Sequence, residues 1–203
     1  MRGFGDDERE RIREQLRETG RDLFTRYGLE KTTIADLTDP VDIANSTFYQ
    51  FYDSKERLYF EIMQEEGERL AEDIIAESFE AEDDPEEAIV AFLTLLCDSM
   101  ETNPLVHRLV VDDDLRRLTE QFTDAEMRGR REQSVAFLAP YLERWREEGR
   151  IREADVDVLA GVLGVAKFLP YHREDFHDDE YYEAVREEFI ATLAAGMVRD
   201  AAE

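Results

Sequence analysis

Thr32-Thr33-Ile34-Ala35-Asp36-Leu37-Thr38-Asp39-Pro40-Val41-Asp42-Ile43-Ala44-Asn45-Ser46-Thr47-Phe48-Tyr49-Gln50-Phe51-Tyr52-Asp53-Ser54-Lys55-Glu56 is the stretch that decides the fold. Thr32-Thr33 offers hydroxyl caps to a short helix carrying Ile34 and Leu37. Asp39-Pro40 breaks that helix, because proline lacks the amide proton a helix interior needs. A second short helix is expected from about Ile43 to Phe51, and Asp53-Ser54 caps a third, longer one. Two short helices around a four-residue break read as a helix-turn-helix. In such a unit the second helix enters the major groove and neighbouring helix N-termini face phosphates. Asn45, Ser46, Thr47 and Gln50 are hydrogen-bonding types that read base edges; the amides suit adenine and the hydroxyls are permissive. Phe48 is expected to point into the core. A helical corner with a polar surface is the plainer alternative, and it must explain Tyr49, Lys55 and the turn spacing together.

Outward from this stretch the periodicity stays helical. Upstream, Ile12, Leu16, Leu23, Phe24 and Tyr27 share a face, and Gly28 is a stop signal. Downstream, Leu58, Tyr59, Ile62, Met63, Leu70, Ile74 and Phe79 mark a long helix. Asp83-Asp84-Pro85-Glu86-Glu87 ends it and opens the next, with proline at the first helical position and acids in the first turn. Asn103-Pro104 punctuates again, and a short helix is expected after it. A longer helix is expected over about Asp124–Glu148, kinked at Pro140 and ended by Gly149. Two more are expected over about Ala154–Tyr171 and Asp179–Ala201, joined by the polar stretch His172–Asp178. No strand-like alternation is long enough to count. The fold class is therefore all-α with about nine helices. A helix-turn-helix domain at 1–54 precedes a helical domain at 55–203.

The order and spacing of Thr32-Thr33-Ile34-Ala35-Asp36-Leu37, Val41-Asp42-Ile43-Ala44-Asn45-Ser46-Thr47-Phe48-Tyr49 and Phe51-Tyr52-Asp53-Ser54-Lys55-Glu56-Arg57-Leu58 resemble the DNA-binding signature of the TetR (TetR/AcrR) family of transcriptional regulators. Leu23-Phe24 followed by Gly28 matches that family's first helix, so the resemblance covers about residues 12–63. It implies a DNA-binding regulator, a repressor, that holds double-stranded operator DNA as a homodimer on a pseudo-palindrome. It further implies phosphate contacts from Thr33, Tyr49 and Lys55, and groove contacts from Asn45, Ser46, Thr47 and Gln50. Departures are visible too. Asp42 stands at the usual turn glycine, Asn45-Ser46 at a common lysine and glycine, and Thr19-Gly20 at a usual alanine pair.

The same resemblance pairs the last two helices of each chain into a dimer bundle, here through Leu159, Val162, Leu163, Phe189, Ile190, Leu193 and Met197. Gly161 and Gly164 would permit close backbone approach there. A ligand pocket would lie between the central helices, with Phe92, Leu96, Met100, Phe137, Tyr141, Trp145 and Phe168 as candidates for its lining. Apolar and aromatic residues suit an apolar organic effector. For each of these positions an ordinary core role is the alternative.

Charge sets the conditions. The chain has 51 acidic and 25 basic residues, a net charge of -26, with Lys31, Lys55 and Lys167 its only lysines. Residues 1–64 hold 10 basic and 14 acidic side chains, a net of -4, whereas residues 65–203 hold 15 and 37, a net of -22. A DNA-contacting module in an acidic protein has this asymmetry. Scarce lysine with abundant carboxylate resembles proteins of salt-loving microbes, and implies a halophilic archaeon and a cytoplasm of molar salt. There the Debye length falls to about 3 Å. Phosphate neutralisation is then largely exhausted, because the logarithm of affinity falls with log salt at about 0.9 per contact. Base-edge contacts must carry recognition.

Other classes find little support. The opening residues lack the basic start and apolar stretch of a signal peptide, and no apolar run reaches the ~20 residues of a membrane span, so a cytoplasmic protein is expected. Lone Cys97 excludes an internal disulfide. No nucleophile elbow, phosphate-cradling glycine loop or His/Cys pair marks an enzyme, and no cofactor motif is present. His107 with Asp112-Asp113-Asp114, and His172 and His177 among acids, match no strong metal-ligand spacing. Two alternative functions remain in view: a helical ligand-binding or scaffold dimer without operator binding, and a metal-responsive regulator using these histidines.

Overall fold

A computed structural model describes residues 5–106 and 123–199. Among them there are eight α-helices, two 3-10 segments and no strand. The helices are α1 (Asp6–Lys31), α2 (Ile34–Thr38), α3 (Asn45–Phe48), α4 (Lys55–Glu77), α5 (Pro85–Thr102), α6 (Asp124–Glu147), α7 (Val156–Val165) and α8 (Asp179–Met197). The chain forms two compact units. Residues up to Gly67, joined by 103–106, make the first; Glu68–Thr102 and the chain from Asp124 make the second.

In the first unit, α1 opens with Asp6, Asp7 and Glu8, whose charges complement the positive end of the helix. Gly28 adopts φ 77°, a left-handed value that interrupts α1 where the sequence placed its stop. Ile12, Leu16, Phe24, Leu37, Phe48, Leu58, Tyr59 and Ile62 are buried together as the core. The Phe24 and Tyr59 rings meet at 4.8 Å. The helix α1 approaches α4 closely at Gly20, where a β-carbon would lie 2.8 Å from Ile62 Cδ1 and 3.2 Å from Leu58 Cδ2. Thr19-Gly20, a departure in sequence, thus has a packing reason.

In the second unit the core holds Phe79, Ile89, Phe92, Leu93, Leu138, Leu142, Trp145, Leu159, Leu163 and Ile190. Phe79 stacks on Trp145 at 5.2 Å and meets Phe92 edge-on at 5.4 Å. Asp84 Oδ1 accepts from the Glu86 and Glu87 amides and caps α5. Gly149 (φ 72°) closes α6: its amide donates to the Arg146 carbonyl and the Arg150 amide to the Trp145 carbonyl, the two bonds of a Schellman cap. The helix itself runs continuously through Pro140.

In the second unit two boundaries differ from the sequence expectation. The helix expected over Ala154–Tyr171 ends at Val165 and continues as 3-10 segments, Ala166–Phe168 and Pro170–Asp175. The Leu169 amide donates to the Ala166 carbonyl and the His172 amide to the Leu169 carbonyl, the tighter three-residue bonds that replace the α-helical ladder there. The last helix stops at Met197 rather than Ala201, because the chain turns into an extended bridge. Val198 pairs with Ile151, the Arg152 amide donates to the Met197 carbonyl at 2.8 Å, and the Arg199 amide to the Arg150 carbonyl at 2.9 Å.

Candidate nucleic-acid interface

Thr33 caps α2 through a full capping box. Its Oγ1 accepts from the Asp36 amide (3.2 Å) and donates to Asp36 Oδ2 (2.6 Å), and its own amide donates to the same carboxylate (2.9 Å). The hydrogen bonds from Thr33 hold the exposed Asp36 carboxyl below the usual carboxylate range. The start of α2 is therefore well ordered, with both Thr33 protons engaged and a negative charge beside them.

The turn between α2 and α3 depends on Asp42, the one non-glycine residue of positive φ (57°) among the described residues. Thr38 then ties the two helices: its Oγ1 lies 2.9 Å from the Ile34 carbonyl and 2.6 Å from the side-chain amide of Asn45. Asn45 is exposed but held in this turn. The helix α3 covers four residues, shorter than the expected Ile43–Phe51. Gln50 and Phe51 amides continue it as tight turns onto the Thr47 and Phe48 carbonyls.

Phe48 is fully buried, as its position predicted. It presses edge-on against Tyr49 at 5.6 Å and meets Tyr52 at 5.8 Å, which fixes α3 to the core. Ser46, Tyr49 and Gln50 face solvent and Thr47 is half-buried. Tyr49 is 57% exposed. The helix thus separates one anchoring residue from a cluster of exposed hydrogen-bonding side chains, the arrangement a reading head needs.

Lys55, which the family resemblance assigns to a phosphate, points elsewhere. Its Nζ donates to the carbonyls of Leu29 (2.6 Å), Glu30 (3.2 Å) and Thr32 (2.8 Å). An ammonium has three protons, and here all three satisfy the frayed end of α1. Sequence reasoning missed this role because the carbonyls belong to a segment 23 to 26 residues away.

It also missed Arg9. Arg9 Nη2 donates to the Gln50 carbonyl at 3.1 Å and its guanidinium lies 5.0 Å from the centre of the Phe51 ring. The arginine ladder Arg9, Arg13, Arg17, Arg21 along one side of α1 was the available signal.

In the second unit the sequence candidates separate by burial. Leu159, Leu163, Ile190 and Met197 belong to the core. Val162, Phe189 and Leu193, together with Leu159 and Met197, line an open groove of about 640 Å³ between α7 and α8. Val158 (60% exposed) and Val165 extend this apolar face, and the positions of Gly161 and Gly164 are open. Phe92 and Trp145 are buried core, Leu96 and Tyr141 pack against it, and Tyr141 donates to Glu80 at 2.7 Å. Phe137 is half-buried on α6, Met100 Sδ accepts from the Tyr171 hydroxyl at 3.5 Å, and Phe168 is exposed. The buried indole Nε1 of Trp145 has no hydrogen-bond partner among the described residues. Cys97 is buried and free. His172 faces Asp175 at 2.9 Å and His177 faces Asp178 at 3.8 Å, both in the open. No group of three metal-ligating side chains occurs among the described residues, and His107 and Asp112–Asp114 lie outside them. No described helix is long and apolar enough to cross a membrane.

Comparison with known proteins agrees with this geometry. A sequence profile described as bacterial regulatory proteins, tetR family, matches residues 16–62. No match is found among curated protein sequences. Among solved structures, a TetR-family transcriptional regulator from Pectobacterium atrosepticum superposes with a TM-score of 0.77 at 18% identity, over 97% of this chain and 99% of that one. RolR in complex with resorcinol superposes at 0.65 with 18% identity, over 98% and 100%. The ketosteroid transcriptional regulator KstR2 of Mycobacterium tuberculosis does so at 0.51 with 21% identity, over 93% and 95%. At these identities the likeness shows a shared fold. Residues 16–62 match the profile of the tetR family of regulatory proteins, and the chain as a whole shares the fold of these regulators.

Proposed function

We propose that the chain is a ligand-responsive DNA-binding transcriptional repressor that holds a pseudo-palindromic operator as a homodimer. The observation that carries this reading is α3 itself. Buried Phe48 fixes it, while Ser46, Tyr49 and Gln50 stand exposed on a helix-turn-helix whose turn is locked by Thr38 and Asn45. Ser46 and Gln50 would read base edges, and the Tyr49 hydroxyl would reach a phosphate. Thr33 and Lys55 would act mainly as supports, because their protons are engaged within the protein.

The apolar face of Val158, Val162 and Val165 beside the α7–α8 groove supports dimerisation through these helices. Two reading heads then meet half-sites about one DNA turn apart or more. The aromatic side chains of the second unit favour a small apolar effector, and a protein of the same fold, RolR in complex with resorcinol, supports that reading. Asp36 and Asp42 beside the reading head weaken phosphate attraction, which suits a repressor working in concentrated salt.

The test is equilibrium binding of a selected duplex in molar KCl by the intact protein and by a Tyr49→Ala, Gln50→Ala double variant. Both residues are largely exposed and buried Phe48 is retained, so the variant should stay folded by circular dichroism while losing at least tenfold in affinity, about 1.4 kcal/mol. Equal binding by the two proteins would refute the assignment of α3.

A further inference from the structure

Four arginines repeat every four residues along α1: Arg9, Arg13, Arg17 and Arg21. The last two are saturated with carboxylates. Arg17 meets Glu61 at 3.2 Å, Glu65 at 3.3 Å and Glu10 at 3.6 Å, and pairs with Glu14 as well. Arg21 pairs with Glu66 and with Glu65. The first two are treated differently. Neither Arg9 nor Arg13 has an ion pair with any carboxylate among the described residues, although 51 acidic side chains are available to the chain. Two arginines at i and i+4 repel one another, and the fold nevertheless keeps them adjacent.

Their surroundings show what they face. Arg9 and Arg13 line a shallow pocket with Phe51, Asp6 and Glu10. Glu10 is turned toward Arg17. Arg9 uses one N–H on the Gln50 carbonyl and lies against Phe51, which fixes its guanidinium at the C-terminal end of the α3 turn. A guanidinium has five donors in a planar fork, so most of the Arg9 donors, and all those of Arg13, stay available. Such forks match phosphate oxygens in a two-bonded geometry. The pair is spaced one helical turn, about 6 Å, along α1.

We infer that Arg9 and Arg13 form a clamp for the phosphodiester backbone of duplex DNA flanking the groove that α3 enters. The inference rests on the DNA-binding reading above and adds to it a backbone site outside the helix-turn-helix. It adds positive charge to a unit whose helix-turn-helix itself carries Asp36 and Asp42. It also couples the clamp to recognition, because the Arg9 guanidinium holds the carbonyl of Gln50.

The experiment is the salt dependence of binding to the selected duplex between 0.2 and about 1 M KCl, for the intact protein and for Arg9→Gln, Arg13→Gln and the double variant. Arg69→Gln, far along α4 and facing Asp73, makes the same change in net charge as a control. Each clamp substitution should lower the slope of log affinity against log salt by about 0.9, the double variant by about 1.8, and the control should leave it unchanged. Thermal melting checks that each variant is folded. Weaker binding with an unchanged slope would mean that Arg9 only braces Gln50, and would overturn the clamp. An unchanged affinity and slope would overturn it too. In both cases the wild-type protein still binds its duplex and the DNA-binding reading stands. A wild-type protein that binds no duplex at any salt would instead sink that reading and the clamp with it.

Discussion

Replacing Asp42 by glycine should stabilise the protein, and the effect can be worked from the backbone. Asp42 adopts φ 57°, and its side chain makes no hydrogen bond among the described residues. A left-handed conformation costs an L-residue about 1–2 kcal/mol. Glycine removes that strain but carries about 0.5–1 kcal/mol more freedom in the unfolded chain. The net gain is about 0.5–1 kcal/mol. For a chain of this size that corresponds to a rise of roughly 1–4 °C in melting temperature. Removing a carboxylate from an acidic protein also relieves repulsion, so Asp42→Asn is the proper reference: it removes the charge and retains a residue that tolerates the left-handed region. Circular dichroism melts in one fixed KCl concentration should rank Gly above Asn and Asn above Ala. An Ala variant as stable as the Gly variant would refute the argument from backbone strain.

Lys55→Met should lower stability by about 1 kcal/mol in urea titrations, since three carbonyls at the end of α1 lose a charged donor that is itself half in solvent. Asp36→Ala should destabilise near neutral pH and lose its effect in acid. The folded protein holds the Asp36 carboxyl below its ordinary value of 3.8, so its contribution is full above that value and disappears as pH falls through the lowered one. Melts of both proteins across pH 2–7 should converge at the acid end. Val162→Arg should shift sedimentation velocity from dimer to monomer without unfolding the chain, because Val162 is 39% exposed on the apolar face of α7.

Much of this architecture can be read from local chemistry. Thr33 and Asp36 are three residues apart, so the capping box is written in four consecutive positions. Gly28 and Gly149 mark left-handed helix ends, and Pro85 with Asp84 a helix start. Phe48 separates from Ser46, Tyr49 and Gln50 by helical period alone. What cannot be read locally are contacts between distant segments. Lys55 resembles a phosphate ligand until the carbonyls of Leu29 and Thr32 are seen against it. Gly20 looks like a weak point of α1 until Ile62 is found where its β-carbon would be. Leu163 and Val162 are equally apolar in sequence, yet one lies in the core and the other lines the groove, because single-sequence periodicity gives a helix face and not its partner. The end of α8 shifts for the same reason: Val198 leaves the helix to pair with Ile151.

The central claim is that α3 reads operator DNA, and recovery of bound genomic fragments tests it most directly. Purified protein is mixed with sheared DNA from its source organism in molar KCl, and the retained fragments are sequenced. The expected result is enrichment of a pseudo-palindrome whose half-sites lie about one helical turn apart or more, and loss of that enrichment in the Tyr49→Ala, Gln50→Ala variant. Fragments without a common sequence at any salt concentration would contradict it.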